Sequence, residues 1–186
     1  DVLIITVILL SLLFDFLNGI HDSSNIVATM ISSRALSPVT ALGMTALAHF
    51  AGPFLFGVAV ATTIGHEVVA AEAISTQVLI AALVSAILWN LLTWYLGFPS
   101  SSSHALVGGF MGAVLISAGW QALHLAGLEK VLIALFASPI IGFVIGYLVL
   151  RLILILSWNA TPAINGVFKK SQLVTGLALA LSHGSN

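Results

Sequence analysis

Asn18-Gly19-Ile20-His21-Asp22-Ser23-Ser24-Asn25 gathers a carboxylate, an imidazole, two amides and two hydroxyls in one short stretch. It follows directly on an apolar run from Val2 to Leu17, and Asp15 carries the polar chemistry back into that run. A charged side chain at bilayer depth costs several kcal/mol unless the protein compensates it, so such a group marks a binding-site candidate. A carboxylate beside neutral oxygens suits a cation. Asp22, Asn25 and His21 are the candidate ligands, Asp22 first if the guest is a metal. Gly19 would allow a break in the helix, and a break frees backbone groups that can hold an ion. The plainer alternative is a polar loop just outside the membrane.

A second cluster, Phe98-Pro99-Ser100-Ser101-Ser102-Ser103-His104, separates two apolar segments and precedes the glycine-rich stretch Ala105 to Gly112. Serines ahead of a helix start supply hydroxyls beside unpaired backbone N–H groups, and the helix dipole adds partial positive charge there. Phosphate is a common guest of such a site. Ser101, Ser102, Ser103 and His104 are the candidate anion ligands. The alternative is a serine loop that merely caps its helix.

These clusters belong to a chain that is 60% hydrophobic and 6% charged, against about 25% charged in soluble domains. So few charges cannot cover a soluble surface, and the predicted class is an all-α polytopic membrane protein. Five Lys plus Arg cannot form a basic patch, which excludes a nucleic-acid partner. Without cysteine there is no disulfide or thiolate metal site. No HExxH, GxSxG or P-loop signature is present, so an enzyme is not expected and no enzymatic cofactor is called for. Haem on His49 and His104 would leave both polar clusters unexplained. An anion channel is the remaining rival from another class, since hydroxyls and helix ends also line pores.

A spanning helix needs about 20 mostly apolar residues. By that measure segments are predicted over about 2–19, 39–64, 74–97, 104–126 and 129–157, with a sixth beginning near Leu173. The first apolar run lacks a basic leader and a small-residue cleavage site, so it reads as a spanning helix. Ser37-Pro38 opens the second segment as cap and first-turn proline. The stretch 22–36 would enter the membrane only partway, which is allowed where protein or a water-filled cavity surrounds it. With the N-terminus outside, Arg34, Arg151, Lys169 and Lys170 face the cytoplasm and only Lys130 faces out, as the positive-inside rule favours. Trp89, Trp94, Trp120 and Trp158 suit an interfacial belt in contact with lipid, where His66 and His124 also belong. Gly108, Gly109, Gly112, Gly142 and Gly146 suit close helix packing, with small-xxx-small spacing at Gly108/Gly112 and Gly142/Gly146.

Five crossings put the sixth segment on the side opposite the first. Its end, Leu181-Ser182-His183-Gly184-Ser185-Asn186, echoes Leu17-Asn18-Gly19-Ile20-His21. An odd number of crossings with a repeated polar turn predicts an inverted repeat, with substrate bound at mid-membrane between two halves. The domain reading is a first transmembrane repeat over 1–160 and the start of a second, inverted repeat over 171–186.

Three motifs in order, Asn18 to Thr29 with Arg34-Ala35-Leu36-Ser37-Pro38, the Pro99-to-His104 serine loop, and Ser182 to Asn186, resemble the inorganic phosphate transporter family. The resemblance runs along the whole chain. It implies an inverted-repeat secondary transporter with broken or re-entrant helices, a homodimer, that moves inorganic phosphate by symport with a cation. It assigns Asp22 and Asn25 to the cation-and-substrate signature, and Ser101, Ser103 and His104 to the hydroxyl loop. His183, Ser185 and Asn186 fall at the start of the second signature, with Ser185 toward substrate and Asn186 toward the cation. Sodium-coupled members typically read Asn-Asp where this chain has His21-Asp22, and often carry Glu where it has Ala48-His49-Phe50. Both departures bring in imidazole. They place the chain nearer the bacterial low-affinity branch of the plasma (inner) membrane, associated with protons or metal–phosphate complexes rather than sodium. Sulfate permeases share the motifs, so sulfate is the alternative anion.

Overall fold

The computed structural model describes residues 1–58, 62 and 64–185; Asn186 and the side chain of His66 lie outside the described residues. Among the described residues, six α-helices follow in chain order: α1 (Val2–Ser32), α2 (Pro38–Phe56), α3 (Thr76–Leu96), α4 (Ser102–Ala118), α5 (Leu125–Leu156) and α6 (Ile164–Gly184). Short helical turns at Ile64–Val68, Ala71–Ala73 and Trp120–Ala122 join them. Among the described residues, α1, α2, α3 and α5 are long and apolar enough to cross a membrane, while α4 has 17 residues.

The boundaries follow from local chemistry. Ser37 caps α2 by accepting from the Thr40 N–H at 3.2 Å, with Pro38 in the first turn. Ser75 caps α3 by accepting from the Val78 N–H at 3.3 Å. The segments predicted to run on to 64 and 126 stop at Phe56 and Ala118, where Gly57 and Gly119 take φ of +77° and +78°. The sixth segment begins at Ile164, earlier than its apolar core, because Lys169 and Lys170 continue the helix.

The break anticipated at Gly19 does not occur, since α1 runs unbroken to Ser32. Ser23 and Ser24 donate their hydroxyls to the carbonyls of Ile20 and His21, at 3.4 and 3.1 Å. The helix itself thus satisfies these polar groups, and a helical glycine costs only about 1 kcal/mol relative to alanine.

The chain forms two compact units, Asp1–Asn25 with Val58–Gly127, and Ile26–Gly57 with Leu128–Asn186. In the first, Phe14 of α1 and Leu83, Ala86 and Ile87 of α3 form a buried cluster, with Ala105 and Leu106 of α4 against it. Gly109 is the point of closest approach: a Cβ there would meet the Ala82 carbonyl oxygen at 2.8 Å. Gly108, Gly112, Gly142 and Gly146 have nothing within 4 Å of a built Cβ, so the small-xxx-small pairs are not the packed positions within this chain. An antiparallel bridge between Val69 and Leu123 ties the loops of this unit together, with the His124 N–H donating to the Val68 carbonyl at 2.9 Å.

In the second unit, α2 and α6 pack together. Ile26, Ala48 and Ala180 form one buried cluster, and Val27, Met30 and Ala41 another. Ser33 donates to the Gln172 side chain. On α5 the buried residue is Gly127, which belongs to the first unit, and most of the helix's leucine, isoleucine and phenylalanine side chains are exposed.

Candidate functional site

The site is built where α3 ends. Gly97 adopts the left-handed conformation, φ +70° and ψ 23°, and its N–H reaches the carbonyls of Thr93 and Trp94. Phe98 N–H adds a bond to the Thr93 carbonyl at 2.9 Å. This αL cap turns the chain sharply into Phe98-Pro99-Ser100, and a Cβ would make that turn costly. Trp89, two turns back on α3, donates its indole N–H to Ser100 Oγ at 3.0 Å and pins the loop to the helix. Ser101 then caps α4, its Oγ accepting from the His104 N–H at 3.4 Å.

Within the same unit, one cavity of about 310 Å³ is lined by His21, Asp22 and Asn25 of α1, by Thr93, Trp94 and Gly97 of α3, and by Phe98, Pro99 and Ser100. Its volume lies at the lower end of the ~300–1,000 Å³ usual for small-ligand sites. The acidic cluster and the entrance of the serine loop, far apart in sequence, thus face one space. Ser101, Ser102 and Ser103 do not line it. Ser101 is engaged as the cap, Ser102 is only 2% exposed, and Ser103 lies on the surface.

His104 lines a second, larger cavity of about 560 Å³ with Ser85, Trp89, Ala105, Gly108 and Gly109 among its walls. Those walls are mostly apolar, so the smaller cavity is the better match to an ion and an oxyanion.

Three buried polar side chains, Asn90, Thr93 and Ser102, complete the unit among the described residues. Asn90 of α3 is 1% exposed, and neither of its amide atoms has a hydrogen-bond partner among the described residues. Ser102 Oγ likewise has none. Thr93 is buried and donates to the carbonyls of Trp89 and Asn90 at 2.9 and 3.2 Å. Trp89, Asn90, Thr93 and Trp94 went unassigned to the site by sequence reasoning, which gave the tryptophans only an anchoring role. The available signal was Asn90, an amide in the middle of an apolar span.

The third motif lies in the other unit, at the end of α6. Ser185 donates its hydroxyl to the Ser182 carbonyl at 2.8 Å. His183 stacks on His49 of α2, with ring centroids 4.9 Å apart. Asn186, the other residue assigned to the cation, lies outside the described residues.

Among known proteins, residues 18–165 match the family described as "Phosphate transporter family". A "probable low-affinity inorganic phosphate transporter" of Rhizobium meliloti is 43% identical over 99% of this chain and 55% of its own length. A protein of the same description from Streptomyces halstedii is 42% identical over 98% of this chain and 86% of its own length. A solved structure titled "The sodium-dependent phosphate transporter" superposes with a TM-score of 0.76 at 20% identity, over 99% of this chain and 55% of that one. At that identity the likeness is one of fold. The chain spans about half the length of the first relatives, 55% and 56%. The match over 18–165, and the identity to a relative that this chain covers almost entirely, show that the chain belongs to the phosphate transporter family.

Proposed function

We propose that this chain is the N-terminal half of a secondary transporter that moves inorganic phosphate by symport with a cation across the bacterial plasma membrane. The observation that carries the reading is the 310 Å³ cavity shared by Asp22 and the start of the serine loop. A divalent anion does not enter a low-dielectric site uncompensated. The site offers a carboxylate, and neither the stretch 18–25 nor 93–104 contains Lys or Arg. Cations travelling with the substrate therefore supply the positive charge, aided by the partial charge of the α4 N-terminus.

In this reading Asp22 holds the coupling cation, with Asn25 and His21 beside it, and Asn25 and the start of the serine loop serve the phosphate in the same cavity. The resemblance adds Ser101, Ser102, Ser103, His104 and Ser185 toward phosphate and Asn186 toward the cation, none of which lines that cavity among the described residues. Residues 1–160 form the first repeat and 171–186 begin its inverted copy. The N-terminus faces out on the Lys and Arg distribution, and the protein works as a homodimer, as the resemblance implies.

The test is uptake of labelled phosphate and sulfate into proteoliposomes holding the full-length protein, under imposed proton or sodium gradients. Phosphate uptake that depends on one of those gradients is expected, with sulfate the weaker substrate. Asp22→Asn should abolish coupled uptake while the protein still inserts. Normal uptake by that variant would defeat the assignment.

A further inference from the structure

A polar layer lies one helical turn below the walls of the 310 Å³ cavity. Phe14 of α1, Ala86 and Ile87 of α3, and Ala105 and Leu106 of α4 meet in one apolar cluster. One turn from that cluster toward the cavity stand Asn18, Asn90 and Ser102. Asn18 comes four residues after Phe14 and four before Asp22, so the three share one stripe of α1. Asn90 comes four residues after Ala86 and four before Trp94, on the corresponding stripe of α3. The fourth helix runs the opposite way, since Gly109 abuts Ala82 and Ser85 while Ser100 meets Trp89. Ser102, four residues before Leu106, therefore stands level with Asn90.

All three side chains carry buried polar atoms without a hydrogen-bond partner among the described residues: Asn18 Oδ1, both amide atoms of Asn90, and Ser102 Oγ. Native proteins leave few such groups unpaired, because each costs its full desolvation. Four of them on one level, from three helices, mark a place built for a guest. Their chemistry restricts what it is. Amide carbonyl oxygens only accept, so the guest must donate; the Asn90 amide nitrogen only donates, so the guest must also accept; a serine hydroxyl does either. A bare alkali cation accepts nothing, and a fully ionised oxyanion donates nothing. The layer itself is uncharged: the nearest titratable side chains along these helices are Asp15, His21 and Asp22 on α1, Tyr95 on α3 and His104 on α4.

We propose that Asn18, Asn90 and Ser102 receive the hydroxyl of hydrogen phosphate seated in the cavity, and so select phosphate against sulfate. This deepens the transport reading above and rests on it. The two dianions share shape and charge and differ in one O–H. That O–H donates to the carbonyl oxygen of Asn18 or Asn90, while its oxygen accepts from the Asn90 amide or the Ser102 hydroxyl. Sulfate sets a bare oxygen against the same carbonyl oxygens, which repels and leaves them unpaired. A site made to bond a hydroxyl rejects an analogue lacking it far more strongly than an apolar pocket can.

The experiment uses the full-length transporter in proteoliposomes and reads competition against labelled phosphate uptake. The competitors are sulfate and monofluorophosphate, at a pH where the latter is dianionic. Monofluorophosphate keeps the tetrahedral shape and double charge but carries fluorine in place of the hydroxyl. In the wild type it should compete as weakly as sulfate, with both inhibition constants at least about tenfold above the phosphate KM. Asn90→Leu should raise the phosphate KM about tenfold and leave the two inhibition constants near their wild-type values, so the selectivity collapses. A merely structural role would weaken all three anions together, so an unchanged ratio in that variant overturns the proposal. Monofluorophosphate competing as well as phosphate in the wild type overturns it too, whether or not Asn90→Leu folds. A wild type that takes up no labelled phosphate defeats the transport reading itself, and this assignment with it.

Discussion

Replacing Gly109 by alanine tests how α3 and α4 are held together, because its neighbour Gly108 provides a control on the same helix. A Cβ at Gly109 would stand 2.8 Å from the Ala82 carbonyl oxygen and 3.2 Å from Ser85 Cβ. Ordinary contact is about 3.5–4.0 Å, so the helices must part by roughly half an ångström, and a gap of that size forfeits about a quarter of each dispersion contact. Overpacking of this kind costs about 1–3 kcal/mol. Alanine returns about 1 kcal/mol through its better helix propensity. The net expectation for Gly109→Ala is a loss of up to about 2 kcal/mol. Gly108→Ala meets nothing within 4 Å and keeps only the propensity gain. The two variants should thus differ by about 1–3 kcal/mol, which separates their unfolding midpoints by about 5 °C at ~2–4 °C per kcal/mol. Thermal unfolding of the purified full-length protein in detergent measures this. Equal midpoints, or Gly108→Ala melting below Gly109→Ala, would refute the seam described above.

Trp89→Phe keeps the ring but removes the indole bond to Ser100; a net hydrogen bond of about 1 kcal/mol corresponds to a roughly fivefold rise in the apparent phosphate KM, checked by uptake kinetics. Ser101→Ala removes the α4 cap and should lower stability by about 0.5–1 kcal/mol, read from the melting midpoint. Arg34 holds a left-handed φ of 54° just after α1, so Arg34→Gly should raise stability by roughly 0.5–1 kcal/mol in the same assay, and a lower midpoint would count against that strain.

Composition alone was enough to make the chain a helical membrane protein, and Ser37-Pro38 and the serine run gave two helix starts directly. The ends were harder. Gly57 and Gly119 stop helices through their backbone angles, yet Gly19 and Gly108 sit inside helices, and glycine in a sequence carries no mark of which it will do. Gly19 within the polar cluster suggested a broken helix whose freed backbone groups could hold an ion, yet α1 runs on unbroken. Ser23 and Ser24 found partners in the preceding turn. The candidate ligands were visible as residue types, but their division between two cavities depends on the Gly97 turn and the Trp89 bond, which join residues on either side of a loop. The stacking of His49 on His183 joins residues more than a hundred positions apart, and no local pattern announces it.

The fifth helix also sets a length scale. Lys130 and Arg151 bracket a stretch of α5 without a single charge, Val131 to Leu150, which at 1.5 Å per residue is about 30 Å long. That equals the hydrocarbon thickness of an ordinary bilayer. Across a bilayer that spacing would set one cation at each headgroup level, like buoys that fix how deeply the chain rides. Lipids with shorter or longer tails would force a tilt or a local dimple at a fraction of a kcal/mol per ångström, making acyl-chain length a physical variable of this protein's resting posture.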